Sequence, residues 1–355
     1  MIHSDAVVIG AGPVGLWTVF ELGLLGISCH VVDTLSGPGG QCAALYADKP
    51  IYDIPGLPVV SGQGLTQALM RQIEPFQAQF HFGQQIEEVT QVDNVWHLRA
   101  KSLGNSAGCA FAARTVFIAG GVGAFVPKAP ALDGLHALVG TDVWFEAPSL
   151  PVNTAPVRVC VLGGEEDAVQ YVLALIEGQQ PVQVNLVHRR DVFKASPPAL
   201  QKLESARAAG KVRVIAGQPL RLHTTGQSPQ RLTGIDIDTP ADDVIALETD
   251  MLVILQGLGP KLGPLSSWGL QMARKQLVVD PSTCATSAHG IFAVGDIVDY
   301  PGKKKLIVSG FHEATQAAFA AAAQLRPDEA GPLQYTTSSK LLQQRLGIQA
   351  PASDT

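Results

Sequence analysis

The sequence predicts an α/β protein built from two parallel βαβ units, one interrupted by the other. Three observations predict it. An apolar strand, Ala6 to Ile9, runs into Gly10-Ala11-Gly12-Pro13-Val14-Gly15. A second, Val159-Cys160-Val161-Leu162, runs into Gly163-Gly164. A third, Ile291 to Val294, runs into Gly295-Asp296 near the end. A length of 355 residues also exceeds what one core usually serves. The fold class expected is therefore α/β, with two Rossmann-like (three-layer ββα) dinucleotide-binding domains, the second inserted in the first.

The elements follow in order. After the first glycine loop, Leu16 to Leu25 reads as a helix and Cys29 to Val32 as the next strand, closing a βαβ unit. Leu65, Leu69, Ile73, Phe76 and Phe80 recur at helical spacing, with Pro75 expected to kink or shorten that helix. Alternation around Ile86 to Val89 and Val95 to Leu98 suggests a small antiparallel layer ahead of a strand at Thr115 to Ile118. In the second unit, Asp167 to Ile176 reads as a helix and Val182 to Val187 as a strand. Turn-rich stretches at Gly120 to Pro130 and Thr283 to His289 are the expected crossings. They divide the chain into 1–120 with 286–355, and 121–285. Gln349 to Thr355 reads as a frayed tail.

Composition excludes several classes. With 46% hydrophobic and 16% charged residues, the chain can bury a large core and is not a disordered segment. A net charge of −6 gives no global attraction to nucleic acid or to an anionic membrane, so any basic docking surface must be local. Five cysteines without a Cys-x-x-Cys pair indicate neither a disulfide framework nor a zinc ribbon, and a reducing cytoplasm fits best. No run is apolar enough for a membrane span, and the N-terminus carries no signal-type segment. His81, His97 and His223 stand singly, without metal-ligand spacing.

Gly10, Gly12 and Gly15 occupy the G-x-G-x-x-G positions: a tight turn, a bare backbone against a pyrophosphate, and close helix–strand packing. Pro13 suits the first helical position. The helix that follows aims its N-terminus at the phosphates, and Asp33, ending the next strand, can accept hydrogen bonds from ribose hydroxyls. The second loop departs from this pattern. Gly163-Gly164 is followed by Glu165, Glu166 and Asp167, which would crowd and repel a pyrophosphate, although acids also favour any helix N-terminus. Against them, Arg189 and Arg190 end the next strand, where guanidinium forks can hold the 2′-phosphate of NADP; a solvated basic turn is the alternative.

Several motifs together resemble the thioredoxin-reductase-like flavoproteins, most closely their ferredoxin–NADP reductase branch. They are Gly10 to Gly15, Gly39-Gly40-Gln41, Tyr52-Asp53-Ile54-Pro55-Gly56, Gly123-Ala124-Phe125, Leu262-Gly263-Pro264 with Trp268-Gly269-Leu270, and Gly295-Asp296. The resemblance runs from about residue 5 to residue 348. Disulfide reductases of this fold carry a Cys-x-x-Cys pair shortly before the second loop, and Gly140 to Arg158 contains no cysteine. Dithiol chemistry by that route is excluded.

The resemblance implies FAD in the first domain, held by Gly10, Gly12, Pro13, Gly15, Asp33, Gln41, Asp53, Gly121, Phe125 and Asp296, with Asp296 toward the ribityl chain. It implies Tyr46 on one flavin face. The segment Tyr335 to Leu341 would cover the flavin of a second copy, placing Tyr335 on its other face and Thr337 and Ser338 near N5, in a homodimer. A helix starting near Glu313-Ala314-Thr315 would point its positive end at the pyrimidine side. Lys303-Lys304-Lys305, with Lys340 and Arg345, is either a solvated loop or a patch for an acidic ferredoxin.

The function expected is NADPH-to-ferredoxin or -flavodoxin electron transfer through FAD. A flavoprotein whose inner nucleotide site is lost, acting as an oxidase or dehydrogenase or taking electrons from a protein donor, is the alternative. A non-catalytic flavin-dependent sensor is the third possibility.

Overall fold

The computed structural model describes residues 1–104, 107–150, 156–178, 181–226, 230–241, 243–329 and 332–348, with the backbone alone at 125, 258 and 260. The tail reading at Gln349 to Thr355 lies outside these residues. The chain forms two compact units, Met1–Ala124 with Pro260–Thr355, and Phe125–Gly259.

The first unit begins with the strand Ile2–Ile9, helix α1 (Pro13–Leu24) and the strand Cys29–Val32. The strands pair in parallel, Ala6 opposite Cys29 and Ile9 opposite Val32. Alternation along the first strand sorts its side chains: Ala6 and Val8 pack under the helices, and Val7 enters the core on the opposite face. Burying one such valine fully stabilises by about 1.5–3 kcal/mol. A short helix, α2 (Gly40–Ala44), precedes α3 (Gly62–Ile73). Ser61 caps α3 by accepting the Gly64 N–H at 3.0 Å. That helix stops one residue before Glu74-Pro75, where a 3₁₀ turn takes over, so Pro75 ends the helix rather than bending it.

The antiparallel layer is present as a hairpin, Gln84–Val92 with Val95–Ser102. Asp93 and Asn94 close it with φ of 49° and 62°, the condition for a type I′ turn. The hairpin joins the strand Ala110–Ile118, longer than the sequence suggested, which in turn pairs in parallel with Ile2–Ile9. On its return the chain adds Ile291–Ala293 beside Ala110–Ile118.

The inner unit repeats the plan. Five parallel strands run in the order Val143–Trp144, Met251–Ile254, Val157–Leu162, Val182–His188, Val212–Ala216. Helices α4 (Glu166–Glu177) and α5 (Pro197–Ala208) pack on one face through Val159, Val161, Val172, Leu186 and Leu203. The antiparallel layer Gln218–Thr225, Arg231–Asp238, Val244–Glu248 covers the other through Cys160, Leu162, Ile235 and Ile237.

The first crossing falls inside the predicted stretch. The second does not: the chain re-enters the first unit at Pro260, ahead of the 285/286 boundary read from sequence. Leu265, Leu270, Leu277 and Val279 belong to the first unit's core, and Trp268 donates from Nε1 to the Glu87 carbonyl at 3.2 Å. The turn-rich stretch Thr283 to His289 is a local turn of that unit, with Cys284 N–H donating to the Asp280 carbonyl at 2.8 Å. Two further helices finish the unit, α6 (Ile307–Leu325) and α7 (Lys340–Arg345). No helix among the described residues is long and apolar enough to cross a membrane.

Candidate active site

The first glycine loop is tight on its inner side and bare on its outer side. Gly10 has φ of 110°, and a Cβ there would stand 2.5 Å from the Ala119 carbonyl oxygen. A Cβ on Gly15 would stand 1.9 Å from the Gly10 oxygen. Gly12, by contrast, has an ordinary φ of −70°, and a Cβ there would meet only the Gly40 Cα, at 3.9 Å. Gly12 is the N-cap of α1 and Pro13 begins the helix, whose first turn carries no acidic residue. The free N–H groups and the positive end of α1 therefore face a space that accepts an anion.

Asp33 ties this loop to the next strand. Its Oδ2 accepts the Ala11 N–H at 2.6 Å and its Oδ1 accepts the Leu35 N–H at 2.8 Å. Burial raises its carboxyl above the usual range, and these hydrogen bonds, with those of Thr34, pull it back.

The other predicted residues of the first unit converge beyond the loop. Gln41 Nε2 lies 3.3 Å from where a Cβ on Gly121 would stand. The Cys42 thiol donates to the Tyr46 hydroxyl at 3.4 Å. Burial raises the Tyr46 hydroxyl pKa, the Cys42 contact adds to it, and the charges of Asp296 and Asp53 raise it further. Asp296 follows Gly295, whose φ is 84° and whose missing Cβ would sit 3.5 Å from Val14 in the first turn of α1. Close approaches of Gly40 to Gly12, Gln41 to Gly121 and Gly295 to Val14 thus bring the phosphate loop, α2 and the Gly295-Asp296 turn together, with Tyr46 tied to α2 through Cys42. The Phe125 side chain lies outside the described residues. Tyr335, Thr337 and Ser338 are exposed, in a turn closed by the Ser338 and Ser339 N–H groups on the Tyr335 carbonyl at 3.1 and 2.8 Å. They are not buried in the site of their own chain.

The second loop is as tight inside. A Cβ on Gly163 would stand 2.3 Å from the Leu255 oxygen, and one on Gly164 would stand 2.6 Å from the His188 ring. The three acids separate in role. Glu166 turns aside: it accepts the Ser196 N–H and the Gln170 side-chain amide, at 2.5 and 2.7 Å, which clips the loop before α5 to α4 and lowers its pKa. Glu165 is the N-cap of α4, makes no side-chain cap bond, and sits exposed with Oε2 4.0 Å from where a Cβ on Gly257 would stand. Asp167 is exposed in the first turn. Arg189 and Arg190 are exposed beyond the strand end, and among the described residues neither guanidinium makes an ion pair.

A family model, described as pyridine nucleotide-disulphide oxidoreductase, matches residues 4–323. The chain belongs to that family. A protein from Paracidovorax citrulli named ferredoxin–NADP reductase is 48% identical over 98% of this chain and 97% of its own length. One of the same name from an Acidovorax species is 49% identical over 98% of this chain and 96% of its own. The resemblance drawn from the motifs, to the ferredoxin–NADP reductase branch, is borne out. Among solved structures, T. acidophilum thioredoxin reductase aligns with a TM-score of 0.51 at 18% identity, over 92% of this chain and 99% of its own. The bacillithiol disulfide reductase of Staphylococcus aureus aligns with a TM-score of 0.57 at 13% identity, over 93% of this chain and 100% of its own. These two show the fold alone, and it is the two-unit fold expected.

Several sequence readings need correction. The helix expected to start at Glu313 starts at Ile307, and Glu313 is buried within it. Lys303 is not part of a solvated run or a docking patch: its side chain is 4% exposed and ion-paired to Glu313. Arg345 is likewise committed, its guanidinium donating to the Leu24 carbonyl at the C-terminal end of α1. Nor do two of the histidines stand alone. His81 Nε2 lies 2.9 Å from His30 Nδ1, and His223 Nε2 lies 2.7 Å from Asp236.

Proposed function

We propose that this chain is an FAD-dependent oxidoreductase that takes a hydride from NADPH at flavin N5 and delivers electrons singly to a ferredoxin or flavodoxin. FAD supplies the step between two-electron and one-electron chemistry. The residues present fit it. The bare Gly12 faces the positive end of α1 for the pyrophosphate, Asp33 serves the ribose, Asp296 the ribityl chain, and Tyr46 one face of the ring. The observation that carries the reading is this convergence in a chain 48% identical, end to end, to a ferredoxin–NADP reductase. Tyr46 excludes water from its side of the ring. Hydride transfer to the flavin needs no general base, so the protein's share of the work is alignment and electrostatics, with Thr337 and Ser338 of the partner subunit placed to assist proton transfer.

Arg189 and Arg190, without an ion pair among the described residues, would take the 2′-phosphate of NADPH in the inner unit beside Gly163 and Gly164. The protein works as a cytoplasmic homodimer, in which the partner subunit's Tyr335 covers the second flavin face, with Thr337 and Ser338 of the partner subunit near N5. The exposure of the Tyr335 turn in one chain supports this. Anaerobic bleaching of the yellow protein by NADPH, followed by ferredoxin-dependent cytochrome reduction, tests the reading; a flavin left oxidised at high NADPH refutes it.

One observation favours a second reading. The Glu165 side chain makes no cap bond and stands at the pyrophosphate position of the inner loop. The inner site would then be lost, and electrons would come from a small substrate or a protein donor. Glu165→Gly decides between the two: a steep rise in NADPH affinity marks a lost site, and a fall marks a site that uses the acid.

A further inference from the structure

Glu313 is buried in α6, with its side chain 2% exposed, and it gathers three donors from outside its helix. Its Oε2 accepts the Gly295 N–H at 2.7 Å, and its Oε1 accepts the Tyr300 hydroxyl at 2.7 Å and the Lys303 ammonium at 2.5 Å. The ammonium also lies 5.8 Å from the centre of the Tyr300 ring. Tyr300 and Lys303 belong to the loop that leads into α6, whereas Gly295 belongs to the turn that carries Asp296. One carboxylate therefore fastens both segments to the helix.

Taking an ion pair out of water is costly, and apolar residues of similar volume would hold the same space without that cost. A pair kept in such a place contributes geometry. What it fixes here is the Gly295 turn, whose N–H it holds; glycine adopts the φ of 84° there without strain, so the bond sets the place of the turn rather than its form. The same helix touches both sides of the first unit's site. A Cβ on Gly310 would stand 2.4 Å from Val14 in the first turn of α1 and 3.4 Å from the Gly295 Cα. α6 is thus the common support of the phosphate-loop helix and the Asp296 turn.

We infer that Glu313, clamped by Lys303 and Tyr300, is a positioning residue that sets Asp296 against the first turn of α1, and thereby how tightly and at what potential the flavin is held. The inference rests on the FAD reading above. Its test is a double-mutant cycle on the purified holoprotein, with Glu313→Gln and Tyr300→Phe each made alone and combined with Asp296→Asn. Three quantities are read: the FAD dissociation constant, the midpoint potential of the bound flavin, and the unfolding temperature of the FAD-free protein.

Glu313→Gln should weaken FAD binding about tenfold and move the midpoint, the order of one misplaced hydrogen bond. Tyr300→Phe, which removes one donor and keeps the ring, should weaken it about threefold. In the Asp296→Asn background each should change affinity less than about twofold, because the effect passes through Asp296. Effects that multiply unchanged in that background overturn the inference. So do wild-type affinity and midpoint in both single variants. Should Glu313→Gln fail to fold, Tyr300→Phe carries the same comparison. A wild-type protein that binds no FAD sinks the functional reading instead, and is seen before any variant is made.

Discussion

Two glycines in one loop should fail in opposite ways when each becomes alanine. Gly12→Ala adds a methyl at φ of −70° and ψ of 176°, a conformation alanine adopts freely, with no atom but the Gly40 Cα, at 3.9 Å, to meet it. Alanine is a poorer N-cap than glycine, but it also narrows the unfolded ensemble, and the two effects cancel to within about 1 kcal/mol. The unfolding temperature of the FAD-free protein should therefore move by no more than about 2–4 °C. The methyl does, however, fill the space through which a pyrophosphate reaches the N–H groups of α1. Losing one or two charge-assisted hydrogen bonds of about 1.5–3 kcal/mol each weakens FAD binding by roughly one to four orders of magnitude.

Gly15→Ala is the control. Its methyl would stand 1.9 Å from the Gly10 oxygen, and only movement of the backbone relieves that. Overpacking of this kind costs about 1–3 kcal/mol or more, so the FAD-free protein itself should melt well below wild type. Thermal unfolding of the FAD-free proteins and flavin-fluorescence titration separate the two outcomes. FAD bound by Gly12→Ala as tightly as by wild type would refute the placement of the pyrophosphate. Gly12→Ala melting as low as Gly15→Ala would refute the geometry of the loop.

Other predictions follow from contacts away from the loop. Burial lowers the pKa of both His30 and His81, and the charge of His30 lowers that of His81 further, so the unfolded chain binds protons more readily than the folded one. Stability from the pair is present above the unfolded value near 6.5 and is lost as pH falls below it toward the lowered folded values. Unfolding temperature should drop between pH 7.5 and pH 5.5 in wild type and drop less in His81→Gln; parallel profiles would contradict this. Arg345→Ala removes the guanidinium that donates to the Leu24 carbonyl, so limited proteolysis should cut the segment after α6 faster than in wild type, while unchanged cleavage would show that α7 is held by other contacts.

The parts of the site that a reader finds in the sequence are those encoded by contiguous residues. Gly10 to Gly15 declares itself because strand, turn and helix start are adjacent, and Asp33 because it ends the next strand. Pro75 marks the end of α3 to within two residues for the same local reason. The return crossing was misplaced because residues 262–279 make short strands and 3₁₀ turns with no sustained period, while the turn signals at 283–289 are loud. The patch reading of Lys303 failed on a different ground. Three adjacent lysines look solvated, and nothing local reveals that Tyr300 and Lys303 fold back on Glu313. The His30–His81 contact spans 51 positions, and only the pairing of Cys29–Val32 with Gln79–His81 brings the rings together. The second loop was legible as a departure, and the structure separated its acids: the Glu166 carboxylate clips the loop before α5 to α4, and the Glu165 carboxylate makes no cap bond.

Titration of the purified yellow protein with NADPH under argon shows whether NADPH reduces the bound flavin. Bleaching of the flavin band is expected at stoichiometric NADPH, with NADH weaker through loss of the 2′-phosphate contact to Arg189 and Arg190, and return of the colour when oxidised ferredoxin is added. A flavin that stays oxidised under a large excess of NADPH would contradict it.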